Sequence, residues 1–296
     1  MLLEKGKSRT IFNILGYTYT AFLTVYCLIP FLLILSGSFT DETSIFVDGY
    51  RLIPKKFSLA AYEQIFRDAS RVFRAYGITV LVTTVGASLG LFIIAMTGYV
   101  LQRKDFRYRN TFSFMIYFTS IFSGGLIPWY IMIVKYLHLK DKLVVLILPA
   151  LMNAWLIILM KNFMKSIPDS ISESAKIDGA GDFTIFLRLI FPLSKPGLAT
   201  IGLFLALWYW NDWFLAALYI NSQKQYPLQF FLYSILTNAE FLRTATAGQV
   251  SSITFKVPTE SLKLAMAIVV TGPIVFLYPY VQRFFIKGLT VGAVKG

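Results

Sequence analysis

The chain has 296 residues, a formal net charge of +13 and 56% hydrophobic residues, with a mean hydropathy of +0.64. A soluble domain is about 45–50% apolar even with glycine counted, and here the excess is gathered into runs long enough to cross a bilayer, so an ordinary soluble globular fold is excluded. One cysteine, Cys27, and one histidine, His138, exclude a disulfide framework and a thiolate metal cluster.

In chain order, Lys5, Lys7 and Arg9 look like the basic start of a signal peptide. The apolar run behind them is too long for one and lacks a small-x-small cleavage site, so an uncleaved first span is expected. Spans are predicted at about 12–35, 76–101, 111–134, 143–161, 198–220 and 265–286. The fold class is therefore an all-α polytopic membrane protein, a single transmembrane domain over residues 1–296. With these spans, 15 Lys and Arg fall on the side of the two termini and 13 on the other. The short loop "LQRKDFRYRN", Leu101–Asn110, carries four of them and is the clearest single orientation signal. It puts both termini and the loop 162–197 in the cytoplasm. His138, beside Lys140 and Lys142, reads as a loop residue.

Gly86 and Gly90 in the second span form a small-xxx-small pair, which suits close helix approach to a partner subunit or within the chain. "FSGGLIPWYIM", Phe122–Met132, breaks the third span, because Gly124, Gly125 and Pro128 cannot continue a regular helix. Broken helices at mid-membrane line substrate paths in transporters, and Trp129 and Tyr130 follow the break with rings suited to stacking on a sugar. The same break also fits a packing kink.

"IPDSISESAKIDGAGDFTIFLRLIFPLSKPG", Ile167–Gly197, then places a charged hairpin between two apolar segments. Pro168 suits a first helical turn, Asp169 the positive end of a short helix, and Gly179 a left-handed stop. Ile167, Ile171 and Ala175 share one face. Asp182 suits an N-cap for a second helix, with Phe183, Phe186, Leu187 and Ile190 on one side. Pro192 and Pro196 are expected to end that helix. A helix-turn-helix DNA reader has a similar outline, but a second helix this apolar, opening into a membrane span, argues against nucleic acid.

In the fifth span, "LWYWNDWFL", Leu207–Leu215, sets Asn211 and Asp212 among Trp208, Tyr209, Trp210 and Trp213. An acid facing lipid at mid-membrane costs about 2.5–3.5 kcal/mol, so Asp212 is expected to face the bundle interior or a wet cavity. An interfacial aromatic belt is the competing reading. The loops on the external side carry a net charge of +5, and Arg67, Arg71 and Arg74 repeat at helical spacing. That suits steering of an anionic substrate; a solvated face or lipid headgroup contact suits it too.

Glu173-Ser174-Ala175, Gly179 and Leu189-Ile190-Phe191-Pro192 together resemble the EAA loop of ABC importer permeases: Glu-Ala-Ala, three residues, Gly, nine residues, then Ile-x-Leu-Pro. Ser174, Leu189 and Phe191 are mild departures from that pattern. Asp178-Gly179-Ala180, Pro192-Leu193-Ser194 and the tail "RFFIKGLTVGAVKG", Arg283–Gly296, are similar to the carbohydrate-importer branch, nearest the MalG-like permeases. The resemblance implies that the first hairpin helix is a coupling helix for a cytoplasmic ATPase, with Glu173, Ser174, Ala175, Asp178, Gly179 and Pro192 as its coupling residues. It implies as partners a second permease in a heterodimer, an ATPase dimer, an external or periplasmic binding protein, an oligosaccharide and bacterial inner-membrane lipid. A G-x-x-x-x-G-K-[ST] sequence is absent from the chain, so it cannot cradle ATP by a P-loop and must borrow a motor; the resemblance implies a non-catalytic subunit with no metal or cofactor of its own, ATP and magnesium belonging to the ATPase. Trp129, Tyr130, Trp208, Trp210, Asn211, Asp212 and Trp213 are the expected substrate path. A stand-alone secondary transporter would need no docking hairpin and would show paired repeats. A membrane enzyme would need clustered acid–base or metal groups.

Overall fold

The protein is described here by a computed structural model, over residues 7–247 and 259–275. Among these residues the elements are helices, joined by loops, with one isolated antiparallel bridge between Thr40 and Phe57. A bilayer core offers backbone groups no water to bond, so apolar runs satisfy them within helices. The described residues fall into two compact units, one up to Ala69 together with Ser234–Pro273, the other Ser70–Tyr233 with the residues from Ile274.

In the first unit, helix α1 (Lys7–Ser38) contains the first predicted span. Its Thr20 and Thr24 hydroxyls donate to the carbonyls of Gly16 and Thr20, both at 2.8 Å, so polar side chains are satisfied within the apolar helix. Helix α2 (Glu42–Asp48) follows a cap by Asp41, and helix α3 is Ala60–Phe66. Phe39 stacks on Phe57 and Tyr62, with centroids 5.6 and 5.0 Å away. The Glu42 carboxylate accepts the backbone N–H groups of Thr259, Glu260 and Ser261 and the hydroxyls of Thr259 and Ser261, all at 2.9–3.0 Å. These residues open the helix 260–275, whose first N–H groups have no partner within the helix. A carboxylate placed there satisfies them and complements the helix dipole.

The arginine pattern is corrected here. Helix α3 ends at Phe66, and the next helix, α4 (Ala69–Gln102), begins after Arg67 and Asp68. Arg67 therefore lies outside α4, the helix that carries Arg71 and Arg74.

In the second unit, α4 carries the second predicted span, with small residues including Gly86, Gly90, Ala95 and Gly98 on its buried face. A Cβ on Gly86 would lie 2.5 Å from the Tyr209 ring, and one on Gly90 would lie 3.4 Å from the Leu151 carbonyl. The glycine pair thus serves a contact within the chain. Helix α5 (Arg109–Ile121) and helix α6 (Leu126–Ile131), which runs on through a π-turn to Tyr136, meet at 111°. Gly125 turns the chain there at φ +86, a region other residues rarely enter. The expected broken span is therefore a sharply bent pair. The span expected at 143–161 also divides. Two 3₁₀ turns, Leu143–Leu146 and Leu148–Ala150, precede helix α7 (Ala154–Met164), at 49°. Asn153 caps α7 by accepting the Leu156 N–H at 3.1 Å. His138 sits in the loop between these segments, at φ +51.

Helix α8 (Asp169–Ile177), α9 (Asp182–Ile185), a π-turn at Phe186–Ile190 and the short α10 (Phe191–Leu193) form the hairpin. Helix α11 (Lys195–Asn211), α12 (Phe214–Tyr219) and α13 (Leu228–Ala247) follow. The core of this unit gathers Ile94, Ile133, Met160, Ile185, Ile201 and Tyr219, each nearly or fully buried. Among the described residues, two helices are long and apolar enough to cross a membrane singly, and up to five spans result when each bent pair is one span. The predicted span 265–286 is described only to residue 275, and the tail Arg283–Gly296 lies outside the described residues.

Candidate functional site

The hairpin starts and stops as its local sequence dictates. Pro168 precedes α8, and Asp169 lies in its first turn. At the far end Gly179 adopts φ +80. The Gly179 N–H donates to the Lys176 carbonyl at 3.0 Å, and the Ala180 N–H to the Ala175 carbonyl at 2.9 Å. This pair of bonds is a Schellman stop, which satisfies carbonyls the helix leaves open and requires the left-handed residue that only glycine supplies cheaply. Glu173, Ser174, Asp178 and Gly179 are exposed, as is Pro192. Ile177, at the end of α8, is 86% exposed. Ala175 is buried and packs into this unit's own core, so it supports the helix from beneath.

Three expectations for the second half of the hairpin are corrected. Asp182 is the first residue of α9, not its cap; Gly181 precedes the helix, and the Asp182 carboxylate reaches Arg103 instead. The buried face is Ile185, Phe186 and Ile190, while Phe183 and Leu187 are exposed. The π-turn at Phe186–Ile190 changes the residue period and so the face presented inward. Pro196 opens α11 and does not close the preceding helix; the chain bends by 84° at Ser194, between α10 and α11.

An ionic network that the sequence reading did not identify ties this hairpin to the loop after α4. Arg103 Nε donates to Asp105 Oδ1 at 2.8 Å, and a second nitrogen of the same guanidinium pairs with Asp105 Oδ2. Arg103 Nη1 meets Asp182 Oδ1 at 2.6 Å. Lys176 Nζ meets Asp105 Oδ2 at 2.7 Å and Asp182 Oδ1 at 3.9 Å, and Lys104 Nζ meets Asp169 Oδ2 at 2.7 Å. Hydrogen bonds from Arg103 and then Lys176 hold the Asp105 carboxyl well below the usual carboxylate range. The bond to Asp105, opposed by burial and aided by Asp182, holds the Arg103 guanidinium firmly protonated. The Arg103 guanidinium also lies 5.6 Å from the Tyr99 ring of α4, a cation–π contact.

The second candidate site surrounds the break in the fifth span. Asp212 is not within a helix, as the sequence pattern suggested. It ends α11 in extended backbone, and its Oδ1 accepts the N–H groups of Phe214 and Leu215 at 3.2 and 3.3 Å. The acid therefore caps α12 and replaces the backbone bonds lost at the break. Asn211 donates to the Leu207 carbonyl at 2.8 Å and accepts from Gln229 Nε2 at 3.1 Å. Phe204, Leu207, Trp208, Asn211, Asp212, Trp213 and Phe214 line an open groove of about 560 Å³. Trp213 stacks on Tyr233 with centroids 4.7 Å apart. Trp210 is buried and lies outside that lining, because two helical steps, about 200° at 3.6 residues per turn, turn it away from Trp208. Trp129, with Gly124, Gly125 and Phe214, lines a second groove of about 590 Å³. Tyr130 instead stacks on Tyr219, 5.5 Å between centroids. Phe214 borders both grooves. Among the described residues, His, Cys, Asp and Glu make no group of three able to hold a metal ion.

Comparison with known proteins adds to this geometry. The model of a family described as "binding-protein-dependent transport system inner membrane component" matches residues 90–291. The chain is 36% identical over 288 residues to the Bacillus subtilis (strain 168) polygalacturonan/rhamnogalacturonan transport system permease protein YtcP, covering 97% of this chain and 99% of that one. It is 28% identical over 290 residues to the arabinooligosaccharides transport system permease protein AraQ of Halalkalibacterium halodurans, covering 95% of each. In fold it matches a chain in the crystal structure of a bacterial ABC transporter involved in the import of the acidic polysaccharide alginate. That match has a TM-score of 0.77 and 28% identity, over 96% of this chain and 100% of that one.

Proposed function

Because the chain belongs to the family of binding-protein-dependent transport system inner membrane components, we propose that it is one permease subunit of an ATP-driven ABC importer of oligosaccharides. The observation that carries this reading is α8: a short helix, stopped by Gly179 and supported through Ala175, that presents Glu173, Ser174 and Ile177 to a partner. An exposed isoleucine beside acidic and polar groups suits the cleft of a cytoplasmic ATPase, which supplies the ATP and magnesium chemistry. Nine residues are too few for a stable helix by themselves, so the stop and the packed underside keep α8 in shape to transmit a push.

The remaining assignments follow from that role. A second permease completes the translocation path, and an external binding protein delivers the cargo. The termini and the hairpin face the cytoplasm, in line with the four basic residues of Leu101–Asn110. The groove with Trp208, Trp213, Asn211 and Asp212 is this subunit's share of the path. Its rings offer faces to sugar C–H groups, and its amide and carboxylate offer acceptors to sugar hydroxyls. An acidic oligosaccharide is the favoured cargo. The net +5 of the external loops supports this, as do the names of a relative that transports polygalacturonan and of a solved transporter for alginate.

The test is purification from membranes followed by reconstitution. An ATPase should co-purify, and uptake of oligogalacturonate should require ATP and exceed that of a neutral glycan of equal length. Uptake driven by an ion gradient without any ATPase would support a secondary transporter instead. Equal uptake of both glycans would remove the acidic-cargo assignment.

A further inference from the structure

Three consecutive charges of the loop after α4, those of Arg103, Lys104 and Asp105, are paired with the hairpin. Three facts stand together. Lys104 reaches Asp169 at the start of α8, and Asp105 reaches Lys176 near its end, both at 2.7 Å. Arg103 reaches Asp182 at the start of α9 at 2.6 Å. Arg103 is itself held to α4 by Tyr99, whose ring also lies 5.5 Å from that of Phe186 in the hairpin. The loop therefore touches α8 at both ends and α9 at its beginning.

By chain connectivity alone, α8 joins α7 through Lys165–Pro168 and α11 through α9 and α10. The ionic network adds a third attachment, to α4. We propose that Arg103, Lys104 and Asp105 are positioning residues of the coupling device: they lock the loop to the hairpin, so that displacement of α8 is passed to α4 as well as to its sequence neighbours. Single exposed ion pairs contribute little, and geometry counts only when several charges act as a network. Here one carboxylate, Asp105, is shared by a guanidinium and an ammonium, and one guanidinium, Arg103, is shared by two carboxylates. Neutralising Asp105 therefore leaves both cations with fewer partners, and the effect is felt at two attachment points.

This proposal rests on reading α8 as the ATPase-docking helix, and the experiment separates the two. The protein is the reconstituted importer, and the quantity measured is ATP hydrolysed per cargo molecule imported. Asp105→Asn is expected to raise that ratio by about twofold or more, the range for residues along a coupling network, with the ATPase still bound. A covalent link then replaces the ionic one. In Cys27→Ser protein, Lys104→Cys and Asp169→Cys are joined by a short bifunctional maleimide. The link is expected to leave import working, and to return the ratio towards wild type when Asp105→Asn is also present.

An unchanged ratio in Asp105→Asn overturns the proposal. So does a cross-link that stops import, which would mean that loop and hairpin separate during the cycle, and so does a raised ratio that the link fails to lower. If Asp105→Asn does not reach the membrane, Arg103→Gln, which removes the pairs to Asp105 and Asp182 and leaves positions 104 and 169 free for the link, carries the same measurement with the same deciding outcomes. Failure of the wild-type chain to hold any ATPase would instead sink the reading of α8, and is seen before any variant is made.

Discussion

Gly179 offers the most direct test of how backbone geometry becomes function. Its φ is +80, and a Cβ added there would meet nothing within 4 Å. A substitution at this position therefore costs backbone strain and nothing in sterics with neighbours. The left-handed region costs an ordinary residue about 1–2 kcal/mol, less for Asn, whose side chain suits it, and more for a β-branched residue. The chain meets that cost by keeping the strain or by unwinding the stop, which gives up the 2.9 and 3.0 Å bonds to Ala175 and Lys176. One to two kcal/mol shifts a two-state balance by roughly 5- to 30-fold. The expected order of activity is Gly, then Gly179→Asn, Gly179→Ala and Gly179→Val. The assay is cargo-stimulated ATP hydrolysis by the reconstituted complex, with membrane insertion measured in parallel and expected to be unchanged. Full stimulation in Gly179→Val would refute the argument from conformation. Equal loss in all three variants would refute it too, since it would mean that the bare surface of Gly179, not its φ, is what the partner needs.

Gly86→Ala should destabilise the second unit by about 1–3 kcal/mol through overpacking against Tyr209, read by detergent unfolding. Tyr209 has little room to move, because its hydroxyl donates to the Ile147 carbonyl at 2.9 Å; Gly90→Ala should cost less, with its nearest neighbour at 3.4 Å. For Glu42, burial raises the pKa, but N–H bonds from Glu260, Ser261 and Thr259 prevail and lower it overall. A depressed folded pKa gives stability that is complete above the unfolded value of about 4.3 and lost as the pH falls through the lower folded value. Hydrogen exchange at the start of helix 260–275 should thus keep its protection from pH 8 down to about pH 5 and lose it only in stronger acid, whereas Glu42→Gln should abolish that acid step. Trp208→Ala and Trp213→Ala should lower uptake per molecule with little loss of stability, whereas Trp210→Ala should cost about 3–5 kcal/mol of stability as a cavity variant. The reverse pattern would move the path away from this groove.

The sequence by itself determined what depends on neighbours along the chain. The apolar runs make helices, since a bilayer leaves backbone groups few alternatives. Pro168 and Asp169 begin α8 and Gly179 ends it, because helix starts and stops are set within one turn. The spaced pattern from Glu173 to Pro192 already pointed to the family. What only the tertiary structure decided depends on residues distant in sequence. Asp105 and Lys176 are 71 positions apart, and Asp182, which local rules make a helix cap, is drawn instead to Arg103. Gly86 is glycine because the ring of Tyr209 lies against it, and Arg67 falls between α3 and α4, outside the helix that carries Arg71 and Arg74. Asp212 reads as an acid stranded in a span, and becomes a cap once the helix is seen to break there. The physical reason is common to all of them. Propensity and capping act over a few residues, whereas a charge or a ring takes whichever partner the fold brings within about 4 Å.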